Sequence, residues 1–294
     1  MRIRIDAPSS PPPLDTLAAG VARLRAAGMA VEDASGVVRG RHAYLNGDDG
    51  ARAASLVDAL AADVDVLWLA RGGYGLTRIL SRIAAPRGRS PTVIGFSDAT
   101  ALFAHLWGQG IHCVHGPLAT TLAAEPADSF EHCLAVLERR ARGTALPLAA
   151  GAAVDVEGRL FAGNLCVLCA LVGTPSFPNL DGAVLVLEEV GERPYRVDRM
   201  LTQLLAAGAL SGVRAVVAGH LTNCVEPTNG SGARDAAPAA LDVFAERLGA
   251  AGIPLATGLH AGHAAPNRAL PLGARARVQA GAGGGALTLL EDLP

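Results

Sequence analysis

The sequence predicts an α/β fold, with a doubly wound N-terminal domain followed by a smaller, mixed α/β C-terminal domain. Short apolar runs alternate along the chain with segments that repeat leucine and alanine every three or four residues. This is the pattern of buried strands alternating with helices that bury one face. The chain has 294 residues, enough for one large or two modest domains. Residues 143–151 become small and contain a proline, which indicates a boundary.

The apolar runs and the helical periodicity place each element in order. In the first half we expect strands at 2–6, 64–70, 92–96 and 111–114, and helices at 14–28, 50–62, 76–84, 98–108 and 128–142. In the second half we expect strands at 183–188, 214–220, 254–257, 273–280 and 286–291, and helices at 195–209 and 236–250. The boundary then divides the chain into domains at 1–148 and 149–294.

Composition excludes several functions. All 25 basic residues are arginine, so a phosphate-loop lysine, a Schiff base and a Ser-Lys dyad are impossible. The net charge of −2 gives no basic surface for nucleic acid. No apolar run approaches the roughly 20 residues of a membrane span, and the N-terminus lacks the features of a secretory signal. The five cysteines are odd in number and widely spaced, so we expect reduced thiols and a cytoplasmic protein.

The segment around Ser97 is the first candidate for chemistry. Thr92 to Phe96 form an apolar strand, Ser97 follows, and the next residues open a helix. A serine at such a turn is held clear of the sheet, near N–H groups that stabilise an oxyanion. The match to Gly-x-Ser-x-Gly is imperfect because Ala99 replaces the second glycine. A helix cap made by Ser97 or Asp98 is the alternative.

Three other strand ends carry chemically useful residues. Ala70-Arg71-Gly72-Gly73-Tyr74-Gly75 follows a strand, and its glycines let the backbone approach a ligand or simply form a tight turn. A second apolar strand ends in Glu188 and Glu189, which strand alternation sends to opposite faces, so at most one enters a given cleft. His260 and His263 follow the strand at 254–257, where a histidine is a candidate general base.

Metal sites are weakly indicated. His260 and His263 are also consistent with a metal pair, but the sequence offers no His-Glu-x-x-His and no obvious third ligand. Cys166 and Cys169 have redox or zinc spacing, yet they lie in an apolar helical pattern without a second pair, which favours core packing.

Taken together, the ordered motifs resemble the LD-carboxypeptidase family, also called muramoyltetrapeptide carboxypeptidases. The likeness runs from Ala7-Pro8-Ser9 to Leu270-Pro271-Leu272-Gly273. The motifs that carry it are Arg71-Gly72-Gly73-Tyr74-Gly75, Gly95-Phe96-Ser97-Asp98-Ala99-Thr100, His115-Gly116-Pro117, Gly163-Asn164-Leu165, Leu187-Glu188-Glu189-Val190-Gly191-Glu192-Arg193-Pro194-Tyr195-Arg196 and Gly262-His263.

The resemblance implies a serine carboxypeptidase that releases terminal D-alanine from murein tetrapeptides during cell-wall recycling. It makes Ser97 the nucleophile, His263 the general base and Glu188 the carboxylate that orients the histidine, a variant of the usual triad. It places the active site in the interdomain cleft and implies a homodimer, with no metal or organic cofactor.

The resemblance also assigns residues around the triad. It maps the oxyanion hole to backbone N–H groups at Gly73 and Asp98, and substrate contacts to Gly72, Tyr74 and Asn164. Two positions depart from the family pattern. Ala162 stands where a glycine is frequent, and Glu189 stands where an aspartate is usual. Neither departure affects the expected triad.

Two other functions remain open at this stage. Proteins resembling microcin C7 self-immunity proteins use the same triad to cleave aminoacyl amides from nucleotide conjugates. The low aromatic content of 4% leaves few side chains to stack on a base, which favours the murein substrate. A non-catalytic protein that binds small ligands between two domains is the alternative of another class, although pure binding does not need a serine, a glutamate and a histidine in triad order.

Overall fold

The computed structural model describes residues 1–84, 88–226 and 239–294. In these ranges the chain forms two large sheets, a small hairpin and the helices that cover them. The strands are β1 (Arg2–Asp6), β2 (Ala30–Val31), β3 (Arg41–His42), β4 (Leu45–Asn46), β5 (Val66–Leu69), β6 (Thr92–Gly95), β7 (Cys113–His115), β8 (Ala145–Leu148), β9 (Val154–Asn164), β10 (Ala183–Val190), β11 (Ala215–Thr222), β12 (Leu255–Ala256), β13 (Leu270–Pro271), β14 (Arg275–Gly281) and β15 (Gly284–Leu289). The α-helices are α1 (Leu14–Ala26), α2 (Asp49–Leu60), α3 (Ala99–Leu106), α4 (Ala127–Leu137), α5 (Leu165–Ala170), α6 (Pro194–Ala206) and α7 (Ala240–Ala250).

The first sheet has the strand order β13-β7-β6-β5-β1-β2. All its pairs are parallel except β13 with β7. The order reverses between β1 and β5, because the chain runs outward from β1 to β2 and then returns to its other side. Open parallel sheets bind ligands beyond the carboxyl ends of the strands at such a reversal. The segments after β1 and β5 are therefore where a site is expected, and the segment after β6 lies beside them because β6 pairs with β5.

The second sheet has the order β12-β11-β10-β9-β14-β15-β8 and is mixed. Its strands β9 to β12 pair in parallel, and β14, β15 and β8 complete it through antiparallel pairs. In the centre of this sheet, the residues of β10 from Ala183 to Glu189 are buried. The strand therefore carries its glutamates to the edge of the sheet without exposing them.

The helix α3, which follows β6 of the first sheet, packs against β9 of the second. Trp107, directly after α3, packs edge-on against Phe161 of β9 with ring centroids 5.1 Å apart. The N–H of Asn164 donates to Oγ1 of Thr100 at 2.9 Å. A side chain at Gly163 would lie 2.5 Å from Cγ2 of Thr100, so the glycine lets α3 dock closely on the end of β9.

The α/β class predicted from the sequence is confirmed, and most elements lie within a few residues of their expected positions. The helix expected at 76–84 is instead two 3₁₀ turns, Leu76–Arg78 and Leu80–Arg82. The N–H of Leu76 is bound to the Asp98 carboxylate, which holds the start of this segment in place. For the helix expected at 236–250, residues 236–238 lie outside the described residues.

Two strands cross the expected division of the chain. β8 ends at Leu148 but pairs with β15 of the second sheet, and β13 of the second half pairs with β7 of the first sheet. The division at 148/149 stays a prediction. In the described part of the chain, no helix combines the length and the apolar character that a membrane crossing requires.

Candidate active site

Ser97 lies in a sharp turn between β6 and α3. Its φ angle of 65° is in the left-handed region, which is uncommon for a residue with a side chain and costs of order 1 kcal/mol. The strand and helix approach closely here, since a Cβ at Gly95 would lie 3.3 Å from Cβ of Ala99. The turn presents Ser97, which is only partly buried, at the carboxyl end of the sheet.

The two glutamates at the end of β10 point in different directions, as strand alternation predicts. Glu188 is fully buried, and its Oε2 lies 2.6 Å from Nδ1 of His263. Glu189 accepts hydrogen bonds from the side chain of Asn164 and from the N–H of Cys166, at 3.0 and 2.8 Å. Burial raises the pKa of Glu189 above its usual value. Only Glu188 faces the site.

His263 connects the two halves of the site. Its Nε2 lies 3.1 Å from Oγ of Ser97, and its Nδ1 contacts Glu188. The ring is held edge-on by Phe96, with centroids 4.8 Å apart, and the side chain is 19% exposed. The serine, the histidine and the glutamate predicted from sequence are thus brought into one hydrogen-bonded chain, although they come from the turn after β6, the loop after β12 and the strand β10.

Glycine is required directly before the histidine. Gly262 has φ of +120°, and a Cβ there would lie 2.6 Å from Oε2 of Glu188 and 2.7 Å from its Cβ. A side chain would therefore collide with the carboxylate itself. Because Gly262 has no side chain, the loop can pass over the end of β10 and place His263 against Glu188.

Residues that sequence reasoning missed hold this loop. The side-chain oxygen of Asn267 accepts the N–H of Gly262 at 2.9 Å. The N–H of Asn267 in turn donates to Oε2 of Glu125, which also accepts the hydroxyl of Ser129, both at 2.9 Å. Glu125 and Ser129 belong to the first half of the chain and are buried. Their spacing of four residues is an ordinary helix pattern, so no sequence signal marked them.

The glycine turn after β5 lies over the serine. A Cβ at Gly72 would be 2.9 Å from Cβ of Ser97 and 3.0 Å from its Oγ. Next to it, Gly73 has φ of +99°. Within the described residues, the N–H groups of Gly73 and Asp98 donate to no protein acceptor. They are available to an oxyanion formed beside Ser97.

The two side chains expected to contact substrate have different surroundings. Tyr74 is 43% exposed beside the glycine turn and packs against Tyr44, with ring centroids 5.6 Å apart. Asn164 is buried and caps α5 by accepting the N–H of Val167, while its amide nitrogen donates to Glu189. Its contacts lie on the Glu189 face of β10.

Two further histidines surround Glu188. His115 at the end of β7 is fully buried, and this burial lowers the pKa of His115 to about 4. Burial also lowers the pKa of His220, whose Nε2 lies 3.4 Å from Nδ1 of His260. His115 is therefore neutral at pH 7, so it does not compete with His263 for the glutamate charge.

The described residues contain no cluster of three or more His, Cys, Asp or Glu side chains arranged for a metal ion. His260 pairs with His220, and His263 is held by Glu188 and Ser97. Cys169 is buried, in agreement with core packing, whereas Cys166 is exposed. Partial desolvation of the sulfur, followed by the nearby Glu189 and Glu192 carboxylates, raises the pKa of the exposed Cys166 thiol to about 11.

This arrangement can perform nucleophilic chemistry. A neutral imidazole can take the proton of Ser97, and the buried carboxylate can stabilise the imidazolium that forms. Two N–H groups beside the serine can donate hydrogen bonds to an oxygen that develops negative charge. These are the requirements for acyl transfer to a serine hydroxyl.

Comparison with known proteins gives matches over most of the chain. Residues 3–116 match the family model of the LD-carboxypeptidase N-terminal domain, and residues 157–278 match that of the LD-carboxypeptidase C-terminal domain. A murein tetrapeptide carboxypeptidase of Pseudomonas aeruginosa is 32% identical over 291 residues, covering 92% of this chain and 91% of the relative. A putative carboxypeptidase of Streptomyces coelicolor is 36% identical over 307 residues, covering 100% and 94%.

Solved structures show the same fold. A muramoyltetrapeptide carboxypeptidase from Oxalobacter formigenes superposes with a TM-score of 0.84 at 27% identity, over 100% of both chains. The microcin C7 self immunity protein superposes with a TM-score of 0.80 over 100% of this chain and 97% of that chain. Its identity of 20% supports likeness of fold alone.

Proposed function

Because this chain belongs to the LD-carboxypeptidase family, we propose that it is a serine-type carboxypeptidase that releases the terminal D-alanine of murein tetrapeptides. Membership of the family makes the chain a peptidase. The observation that carries the serine mechanism is the continuous hydrogen-bond chain from Ser97 through His263 to Glu188, with atom separations of 3.1 and 2.6 Å. The names of the relatives support the murein substrate.

Acylation would begin with the hydroxyl of Ser97. His263 Nε2 takes the hydroxyl proton while Oγ attacks the carbonyl carbon before the terminal D-residue. The oxyanion that forms accepts hydrogen bonds from the N–H groups of Gly73 and Asp98. When the intermediate collapses, the amide C–N bond breaks, His263 donates its proton to the leaving amine and free D-alanine departs.

Deacylation would repeat these steps with water. His263 takes a proton from a water molecule, whose oxygen attacks the ester carbon, and the same N–H groups stabilise the second oxyanion. Collapse breaks the bond to Oγ, and His263 returns the proton to Ser97. Glu188 stays ionised throughout and holds the Nδ1–H of His263, so its contribution is orientation and stabilisation of the imidazolium.

The test is D-alanine release from purified murein tetrapeptide by the full-length protein. We expect release that survives a metal chelator and disappears in Ser97→Ala, whereas the control Ser35→Ala, an exposed serine paired with Asp33, retains the activity of the original chain. No release by the folded protein would contradict the murein assignment. Release that the chelator abolishes would contradict the serine mechanism.

The same preparation addresses the two alternatives. If murein tetrapeptide is not cleaved, aminoacyl-nucleotide amides are the next substrates, because the fold is shared with the microcin C7 self immunity protein. If neither substrate is cleaved but ligands bind in calorimetry, the non-catalytic function is supported. Covalent labelling of Ser97 by a fluorophosphonate probe separates these outcomes.

We also propose that the protein works in the cytoplasm as a homodimer. These two proposals come from the sequence and from the family resemblance. Fractionation of expressing cells and light scattering on the purified protein would test them. A periplasmic location or a monomer at working concentration would contradict the respective proposal.

A further inference from the structure

The side chain of Asp98 is buried at the start of α3 but does not cap the helix. An aspartate at an N-cap position normally accepts a backbone N–H of the first helical turn, and Asp98 makes no such bond. The side chain instead turns away from the helix and is 1% exposed. Its Oδ2 accepts the hydroxyl of Ser9 at 2.6 Å and the N–H of Leu76 at 3.0 Å.

This carboxylate joins three segments at the carboxyl edge of the first sheet. Ser9 lies in the loop after β1, Leu76 ends the glycine turn after β5, and Asp98 follows the nucleophile after β6. Burial raises the pKa of Asp98, and the bonds from Ser9 and Leu76 oppose that effect. Because burying a carboxylate is costly without such partners, a role in fixing these segments explains why a buried acid is found here.

Further bonds hold the glycine turn against the same loop. The N–H of Ser10 donates to the carbonyl of Gly72, and the hydroxyl of Ser10 accepts the N–H of Tyr74, both at 3.3 Å. A Cβ at Gly73 would lie 2.3 Å from Oγ of Ser10, so the turn has no room to shift in that direction. Buried Arg52 donates to the carbonyl of Gly75 at 2.9 Å.

The two candidate oxyanion donors belong to the segments that this carboxylate connects. One is the N–H of Asp98 itself, and the other is the N–H of Gly73 in the turn that Leu76 ends. Stabilisation of an oxyanion requires both donors to be preorganised around one point, to within about 0.5 Å. We propose that the Ser9 hydroxyl and the Asp98 carboxylate are positioning residues that set the spacing of these two N–H groups.

The inference rests on the proposed function, because it concerns the same serine chemistry. Neither side chain touches the reacting atoms, and both act through the backbone of the turn. Removing the Ser9 hydroxyl keeps both N–H donors in the chain, but the distance between them is no longer fixed. The transition state then loses stabilisation, whereas the ground-state complex, which does not depend on the oxyanion hole, keeps its affinity.

The first variant is Ser9→Ala. We expect kcat for D-alanine release to fall about 10- to 100-fold, since loss of a whole donor costs about 100- to 1000-fold and here a donor is only misplaced. KM should change less than about threefold. The matched control is Ser55→Ala, because Ser55 also donates to a buried aspartate, Asp6, at 2.9 Å but lies on α2. It should retain kcat.

A second pair of variants separates positioning from folding. Asp98→Asn keeps one carbonyl oxygen that can accept from Leu76, whereas Asp98→Ala keeps none, and both retain the backbone N–H. We expect kcat to be highest in the original chain, lower in Asp98→Asn and lowest in Asp98→Ala, with similar KM in all three. Equal losses in the two variants would show that acceptance by the side chain is irrelevant to the rate.

A fluorophosphonate probe gives a readout that does not depend on the natural substrate. Oγ of Ser97 attacks phosphorus, fluoride leaves, His263 takes the hydroxyl proton, and the phosphoryl oxygen occupies the oxyanion hole. We expect the labelling rate to fall in Ser9→Ala by about the same factor as kcat. If the original chain is labelled but releases no D-alanine, the murein assignment fails and the labelling rates still test the positioning of the donors.

Three results with Ser9→Ala or its control would overturn the inference alone. The first is a Ser9→Ala variant whose thermal transition shows that it is folded and whose kcat and labelling rate stay within twofold of those of the original chain. The second is a rise in KM at constant kcat, which indicates substrate contact instead. The third is an equal loss of activity in Ser55→Ala, which indicates general destabilisation. Absence of any labelling in the original chain would overturn both the nucleophile and its positioning.

Discussion

Substitution of Gly262 by alanine should break the contact between Glu188 and His263 without removing either side chain. The new Cβ would lie 2.6 Å from Oε2 of Glu188, whereas ordinary van der Waals contact begins at 3.4 Å, so the carboxylate must move by about 0.8 Å. That displacement acts on the oxygen that now lies 2.6 Å from Nδ1 of His263. A misplacement of about 1 Å costs about 100-fold in rate, or about 2.7 kcal/mol.

The backbone contributes a second effect that a control can isolate. Alanine at φ of +120° is strained by about 1–3 kcal/mol, which lowers the stability of the fold. Gly173 also has positive φ, of +82°, but apart from its two chain neighbours no described residue has an atom within 4 Å of a Cβ placed there. Gly173→Ala should therefore show the strain without the collision. We expect both variants to unfold at lower temperature and only Gly262→Ala to lose catalysis.

The assay is the initial rate of D-alanine release at a temperature where both variants are folded, with kcat and KM determined separately. We expect kcat of Gly262→Ala to fall about 100-fold with KM almost unchanged, because the reacting groups are disturbed and the binding surface is not. A folded Gly262→Ala with kcat within twofold of the original chain would refute the reasoning. So would an equal loss of kcat in Gly173→Ala.

Three other perturbations have defined outcomes. Glu188→Gln should lower kcat by roughly 1000- to 10,000-fold at similar KM, because the amide cannot stabilise the His263 imidazolium; a loss below tenfold contradicts this role. Since the pKa of His115 falls from 6.5 unfolded to about 4 folded, the unfolded chain binds more protons between these values. The contribution of neutral His115 to the free energy of unfolding is therefore complete above pH 6.5. It falls by up to roughly 3 kcal/mol as the pH is lowered to 4. In urea titrations at several pH values, the free energy of unfolding of His115→Gln should lack this fall between pH 6.5 and 4. The same pH dependence in His115→Gln and the original chain would contradict the assignment. Asn164→Ala removes a helix cap and a partner of Glu189, so it should lower the free energy of unfolding by about 1–3 kcal/mol in denaturant titration. A rise in KM of the same variant would support the predicted substrate contact, and unchanged stability would contradict the cap.

The fold class followed from the sequence because its signals are local. Apolar runs such as Val66–Leu69 are buried in the sheet, and the period of leucine and alanine matches helices such as α2. The helix predicted at 76–84 was wrong, and a hydrogen bond to a residue distant in sequence lies at the start of this segment. The Asp98 carboxylate, 22 residues away in sequence, binds the N–H of Leu76 where a helix was expected to begin.

The candidate site could be predicted only in part for a similar reason. Ser97 and His263 lie beyond the ends of strands, Glu188 lies near the end of one, and their order matched a known family. Glu125 and Asn267 could not be found in this way, since their bond connects positions 142 residues apart. The role of Asp98 as a helix cap was an open alternative, and the structure shows no capping bond.

The sequence by itself determined the alternation of strands and helices, the exclusion of lysine chemistry and the residues able to act as nucleophile, base and carboxylate. These depend on residue types and short spacings, which the chain displays directly. Only the tertiary structure provided the distances between Ser97, His263 and Glu188, whose association the family resemblance implied. It alone showed that Ser9, Asp98 and Leu76 connect three segments. Such contacts join segments up to 166 residues apart, and their separations are set by how the two sheets pack rather than by any local pattern.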